Sequence, residues 1–402
     1  MKDYLATLEP EAIAHLRRLV EINSFTHNRE GVNRVVEVVT ELFEPLGFTS
    51  RRVPSITPDC GDHLFLENAG DGPGLLMVSH NDTVYPAELE RRNDFAWREE
   101  GERIYGPGVA DIKGGTIVIW MVLKALREKA PELFHRLRFS VLLNATEEGG
   151  CAEFFQLAQP YVRTGDLACL VYEAGADTRD GGSTVVVSRK GAVRFLLETF
   201  GKEAHSGNHH KKGASAIVEL ADKIQRIHAL TDYERDVTFN VGTARGGTTV
   251  NAVAGYACAK VDLRAVRDED LSWGRARVRE LEGDGVVVSA DGKHRCRVEI
   301  SERPGYPPWE PNEASDLLGE LVVKLGADLG QRIYPTRRKG ASDGAHFHTF
   351  LPTLDGLGPI GRNTHCSVHD PERGLEQESL DRDSFVSRAR LSLALIERLA
   401  RE

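Results

Sequence analysis

The sequence predicts an α/β protein: a domain with a largely parallel sheet, interrupted by a smaller α+β insertion. Three observations predict it. Short apolar runs at residues 75–79, 139–144 and 167–172 alternate with helix-like segments, the pattern of parallel βαβ units. Each run ends in a loop bearing a histidine or a carboxylate, at the strand end where such sheets assemble their sites. Near residue 186 the pattern changes to polar–apolar alternation, as in Val-Thr-Phe-Asn-Val (237–241) and Ala-Lys-Val-Asp-Leu-Arg (259–264), which predicts antiparallel strands with one solvated face.

In chain order, residues 10–46 carry Ile13, Leu16, Val20, Val32, Val35, Val38 and Leu42 at helical spacing, with Gly47 as a stop. The run Leu75-Leu76-Met77-Val78 reads as a buried strand leading to His80. A glycine-rich loop with a single carboxylate, Asp111, precedes a buried helix over 116–126. The insertion spans 186–302, with strands at 183–188, 192–200, 237–241 and 256–264 and helices at 214–227 and 270–281. This divides the chain into 1–185, 186–302 and 303–402, the last resuming the first domain with a helix at 313–325, a strand at 351–357 and a helix at 383–399.

At 402 residues the chain is long enough for two domains with a large core. Its net charge of −10 argues against a general nucleic-acid binder, whose footprint is basic. The basic run Arg337-Arg338-Lys339 fits a solvated loop, or a collector of anionic substrates. Six cysteines (Cys60, Cys151, Cys169, Cys258, Cys296, Cys366) lack C-x-x-C spacing, which fits buried thiols in a reducing compartment. With no apolar leader core in residues 1–11 and no 18-residue apolar run, the expectation is a cytoplasmic protein without membrane spans.

The chemistry centres on residues 78–86. Side chains two apart in an extended segment point the same way, so Asp82 can face His80. A neutral imidazole ligates metal, and a carboxylate on its other nitrogen fixes the tautomer. Alone, the pair better suits a polar strand end with a capped loop, and the rest of the chain decides between the two readings. Glu147 and Glu148 alone suit a solvated acidic turn, but adjacent residues in extended backbone point apart, so one can bind metal while the other takes a proton.

Taken together, Ser-His80-Asn-Asp82-Thr-Val-Tyr-Pro, Gly106-Pro-Gly-Val-Ala-Asp111-Ile-Lys-Gly-Gly, Thr146-Glu147-Glu148-Gly-Gly, Glu173-Ala-Gly and Gly361-Arg-Asn-Thr-His365 resemble the co-catalytic dizinc metallopeptidase family. That family includes glutamate carboxypeptidase, acetylornithine deacetylase, succinyl-diaminopimelate desuccinylase and aminoacylase, and the likeness is greatest to glutamate carboxypeptidase. The resemblance implies a zinc-exopeptidase catalytic domain with a lid and dimerisation domain, and two zinc ions per subunit, with cobalt or manganese as alternatives. It implies that Asp111 bridges the ions, His80 and Glu173 completing one and Glu148 and His365 the other. Asp82 would orient His80, and Glu147 would be the general base and acid.

The family's acidic residue shortly after the last ligand histidine is matched here by Asp370 with altered spacing, with Cys366 and His369 as alternative ligands. His346 and His348 read as structural or pocket-lining. In the insertion, Gly201-Lys-Glu-Ala-His205-Ser-Gly resembles the lid histidine that reaches the partner subunit's site. Thr248-Thr-Val-Asn251 and Val261-Asp-Leu-Arg264 resemble substrate-binding segments, and Arg303, Ser342 and Asp343 complete the expected pocket wall. Arginine suits a carboxylate because its planar fork binds it bidentately. The expected activity is hydrolysis of an amide before a C-terminal acidic residue, glutamate or aspartate, of a peptide or N-acyl amino acid. The alternatives are an N-acyl-amino-acid deacylase and a non-catalytic metal-binding scaffold. The expected assembly is a homodimer through the lid, with no nucleic-acid or membrane partner.

Overall fold

The structure, a computed structural model, describes residues 2–150 and 153–401. The chain forms two compact units: Met1–Ser188 with Pro311–Arg338 and Ser342–Glu402, and Arg189–Glu310 with Lys339–Ala341.

The first unit is built on a six-stranded sheet in the order Phe48–Pro54, Asp62–Asn68, Arg138–Asn144, Gly74–His80, Ala168–Val171, Thr353–Leu354. The last four strands run parallel, while the first two pair antiparallel at one edge. The sheet is therefore mixed, with a parallel centre. Register aligns His80 with Asn144 and Val78 with Val171, so three strands end side by side. The central strand Gly74–His80 is buried along its whole length. Its side chains alternate between two cores: Leu75 and Met77 join the larger cluster, Leu76 and Val78 the cluster with Phe65, Leu142 and Phe347.

The helix Gly114–Lys129 is buried on every side from Gly114 to Leu123 and covers the larger core, which Glu9–Val20 and Ser384–Leu399 also line. The helical pattern over 10–46 is two helices, Glu9–Val20 and Arg29–Phe43. The break falls where the Asn28 side chain accepts the Gly31 amide as an N-cap. The strand expected at 351–357 shrinks to Thr353–Leu354, an edge position with one neighbour. A small antiparallel sheet runs in the order Gly361–Arg362, Ser379–Asp381, Arg103–Tyr105, Arg98–Glu100.

The second unit is a five-stranded antiparallel sheet in the order Thr238–Gly246, Tyr256–Ala265, Gly191–Phe200, Arg295–Tyr306, Gly283–Val288. Val261 and Leu263 point into a core shared with the helices Ala216–His228 and Asp268–Arg279, while Asp262 and Arg264 face outward.

Among the described residues, Cys169, Cys258, Cys296 and Cys366 are free thiols, Cys60 is buried, and Cys151 lies outside those residues. No helix of the described residues is long and apolar enough to cross a membrane.

Candidate metal centre

His80 terminates the central strand with its side chain 1% exposed. Its Nδ1 faces oxygens only, the Asp82 carbonyl at 3.0 Å and the Asp82 Oδ1 at 3.3 Å. Those acceptors assign the proton to Nδ1 and direct Nε2 toward Asp111 Oδ1, at 3.2 Å, and Glu173 Oε1, at 3.8 Å. Asp82 also fixes the neighbouring strand end. Its Oδ1 accepts the Glu147 amide at 3.1 Å; its Oδ2 accepts the Glu148 amide at 3.2 Å and the Thr26 hydroxyl at 2.7 Å.

Asp111 is carried by the glycine-rich loop. Gly108 adopts φ +69, and a Cβ there would meet Thr83 Cγ2 at 2.5 Å, so both conformation and space demand glycine. The two Asp111 oxygens face different imidazoles: Oδ1 is 3.2 Å from His80 Nε2, and Oδ2 is 3.2 Å from His365 Nε2. His365 Nε2 also lies 3.1 Å from Glu148 Oε1. His365 is in the left-handed region (φ +66), uncommon for a residue with a side chain, and keeps 53% of its side chain exposed. It is the open end of the cluster.

Charge and burial set the protonation. Burial opposes charge on both Asp111 and His80. Hydrogen bonding between opposite charges outweighs it, depressing the Asp111 carboxyl and holding the His80 imidazole well above its ordinary value. Hydrogen bonds to Asp111 and Glu148 push His365 up to about 11. Glu147 and Glu148 are raised chiefly by burial. One ligand atom from each of His80, Asp111 and Glu148 falls within 4.8 Å of the others. Imidazoles with an excess of carboxylates, each orientable by a neighbour, are a donor set that fits zinc.

Asp343 and Ser342 are buried beside the same strand ends. Asp343 accepts the Asn144 amide at 3.0 and 3.1 Å, and burial pushes its carboxyl up to about 7; Ser342 donates to Asp355 at 2.8 Å. Asp370 does not reach the cluster. It caps the turn Pro371–Arg373 by accepting the Arg373 amide at 3.1 Å. The buried carboxylate near the ligands is Glu378, which sequence reasoning missed. It accepts the Ala110 and Asp111 amides at 2.9 and 3.1 Å and the Tyr85 hydroxyl at 2.7 Å. Burial, then the Asp111 charge, pushes it up to about 7. Cys366 directs its thiol at the Val368 carbonyl (3.5 Å), His369 is exposed, and His346 stacks on Phe155 with ring centroids 5.3 Å apart.

The remaining candidates belong to the second unit. His205 is exposed, and its Nδ1 accepts the Gly207 and Asn208 amides at 3.1 Å each, which assigns the hydrogen to Nε2. Asn251 Oδ1 accepts the Thr249 hydroxyl at 2.8 Å, and its carbonyl accepts the Ser206 amide at 3.0 Å, tying the two loops together. Arg264 donates from Nε to Asp262 at 2.7 Å and from Nη1 to the Lys339 carbonyl at 3.3 Å. Arg303 is exposed on the strand Arg295–Tyr306, opposite Arg194 in register.

Residues 187–282 match the family model of the M20 peptidase dimerisation domain. Carboxypeptidase G2 of Pseudomonas sp. (strain RS-16) is 28% identical over 89% of this chain and 83% of its own length. Acetylornithine deacetylase of Klebsiella pneumoniae is 26% identical over 91% and 93%. Succinyl-diaminopimelate desuccinylase of Methylobacterium sp. is 26% identical over 89% and 90%. Among solved structures, a tripeptidase from Staphylococcus aureus superposes with a TM-score of 0.74 at 21% identity, covering 98% of this chain and 99% of that one. The M20 family metallo-carboxypeptidase Sso-CP2 from Sulfolobus solfataricus reaches 0.73 at 16% identity, covering 98% and 100%.

Proposed function

We propose that the chain is a metal-dependent hydrolase related to the M20 peptidases, and that it cleaves the amide bond before a C-terminal acidic residue, glutamate ahead of aspartate, in peptides or N-acyl amino acids. The observation that carries this reading is the division of Asp111 between two imidazoles, one oxygen 3.2 Å from each. A carboxylate so placed suits a bridging role. His80 and Glu173 would join it around one zinc ion, Glu148 and His365 around the other. The ions would supply Lewis acidity and make the attacking water acidic enough to ionise near neutral pH.

The chain's own residues do the rest. Asp82 holds His80 with Nε2 toward the metal side and, through two amides, fixes the backbone of Glu147 and Glu148. Glu147 takes the proton of the attacking water and passes it to the leaving amine; its raised pKa suits a group that must both accept and return a proton. In a homodimer formed through the dimerisation domain, His205 of the partner subunit donates its Nε2 hydrogen to the tetrahedral oxyanion. Asn251, Arg264, Arg303, Ser342 and Asp343 shape the substrate site. Arg264 grips the substrate carboxylate, with Asp262 holding its Nε in place.

The likeness to acetylornithine deacetylase and succinyl-diaminopimelate desuccinylase favours a second reading, an N-acyl-amino-acid deacylase. A panel of N-acyl amino acids and dipeptides, hydrolysed by zinc-loaded protein, separates the two. Glutamate- and aspartate-terminated substrates should exceed neutral ones in kcat/KM by roughly tenfold or more, the worth of one charge-assisted contact. Equal turnover of neutral substrates would overturn the acidic preference, and a preference for N-acetyl or N-succinyl groups irrespective of the amino acid would favour the deacylase.

A further inference from the structure

We infer that Glu378 is a positioning residue for the metal centre, one that sets the orientation of Asp111 while tying the Asp111 loop to the His365 loop. The inference rests on the metal-hydrolase reading above and extends it to a residue with no part in the expected ligand set.

Glu378 is fully buried and occupies the junction of three segments. It immediately precedes the strand Ser379–Asp381, which pairs with Arg103–Tyr105 on one side and Gly361–Arg362 on the other. The first neighbour leads into the Asp111 loop; the second leads into the turn carrying His365. Its backbone links both: its amide donates to the Cys366 carbonyl at 2.8 Å, and its carbonyl accepts the Gly106 amide at 3.4 Å. Its side chain then reaches under the bridging candidate. One oxygen accepts two successive amides, Ala110 and Asp111, and the other accepts the Tyr85 hydroxyl. Tyr85 is itself 1% exposed and belongs to the loop following His80 and Asp82.

A buried carboxylate is costly unless its oxygens are satisfied, and here three donors converge on it. Two successive amides bound to one oxygen leave the Asp111 peptide little freedom to rotate. Rotation of that peptide would swing the Asp111 side chain and break the arrangement in which Oδ1 faces His80 and Oδ2 faces His365. The acceptor geometry is what positions Asp111. A glutamine can reproduce it, with its carbonyl oxygen on the two amides and its amide donating to the Tyr85 oxygen; an alanine cannot.

The test is cobalt binding by the full-length, metal-stripped protein, followed by chelator competition and by the visible absorption of the bound ion. Glu378→Ala should weaken cobalt binding by about 10- to 100-fold and change the cobalt spectrum, as loss of a group that orients a ligand does. Glu378→Gln should restore both to within about threefold. Unchanged binding and spectrum in Glu378→Ala, or a Glu378→Gln protein as impaired as the alanine variant, would overturn the inference, the second by showing that charge rather than acceptor geometry matters. If Glu378→Ala does not fold, Tyr85→Phe serves instead. It removes one of the three donors and should perturb the cobalt spectrum in the folded protein, and an unperturbed spectrum there would count against the inference. A wild-type protein that binds no cobalt would sink the metal reading itself, an outcome distinct from these.

Discussion

Asp82 lies against the far side of the His80 ring, its Oδ1 3.3 Å from Nδ1, while the same carboxylate accepts the amides of Glu147 and Glu148. One side chain thus orients a ligand candidate two residues back and anchors the backbone of the proposed proton acceptor beyond the next strand of the sheet. Asp82→Ala should lower metal affinity or turnover by about 10- to 100-fold. Isothermal titration with zinc alongside steady-state kinetics would check this, and a variant that lost nothing in either would contradict the assignment.

Glu147 and Glu148 are neighbours with separate tasks. Glu148 faces His365 at 3.1 Å, and burial is the main influence raising both carboxyls. Glu147→Gln should retain full metal stoichiometry by elemental analysis and lose about 10²- to 10⁴-fold in kcat, the range for a general acid–base group. Unchanged turnover with intact metal would remove Glu147 from the proposed role.

Metal loading should release protons. In the metal-free protein His365 is held up to about 11, so it is protonated at neutral pH, and a ligand imidazole must be neutral. Apparent zinc affinity should therefore fall as pH falls, with proton release measurable in weakly buffered solution. The sign for stability is also defined. A folded-state pKa above the unfolded value of about 6.5 favours folding fully below that value, and the contribution is lost as pH rises toward 11. The upward shifts of Glu147 and Glu148 act in the same direction from acid pH upward. The Tm of metal-free protein should thus decline between pH 6 and pH 10; a Tm rising across that interval would contradict this balance.

His205→Ala should keep its metal and lose about 10²- to 10³-fold in kcat, the effect of removing one oxyanion donor. Because the histidine is proposed to serve the partner's site, mixing His205→Ala with Glu147→Gln chains under conditions of subunit exchange should regenerate one complete site per mixed dimer. Recovery of activity in the mixture, absent from either variant alone, is the expected result; no recovery despite demonstrated exchange would place the histidine in cis.

The parts of the cluster on strand ends were legible because a buried parallel strand announces itself by a short apolar run, and its carboxyl end is where a site forms. His80, Glu147, Glu148 and Glu173 follow from that rule, and Asp111 stands out as the single carboxylate in a glycine-rich loop. Glu378 was not legible. It sits among Asp370, Glu372 and Glu376 in a polar stretch with no periodicity to rank them, and the family resemblance pointed to Asp370 with altered spacing.

By itself the sequence determined the alternation of buried strands and helices, the change to an antiparallel insertion, and the kinds of donor group present, because periodicity and residue chemistry are local properties. Only the tertiary structure decided which carboxylate lies under Asp111. The strand Ser379–Asp381 pairs with both Arg103–Tyr105 and Gly361–Arg362, and that pairing carries Glu378 inward while Asp370 stays behind to cap its own turn. Hydrogen bonding between segments far apart in the chain makes that choice.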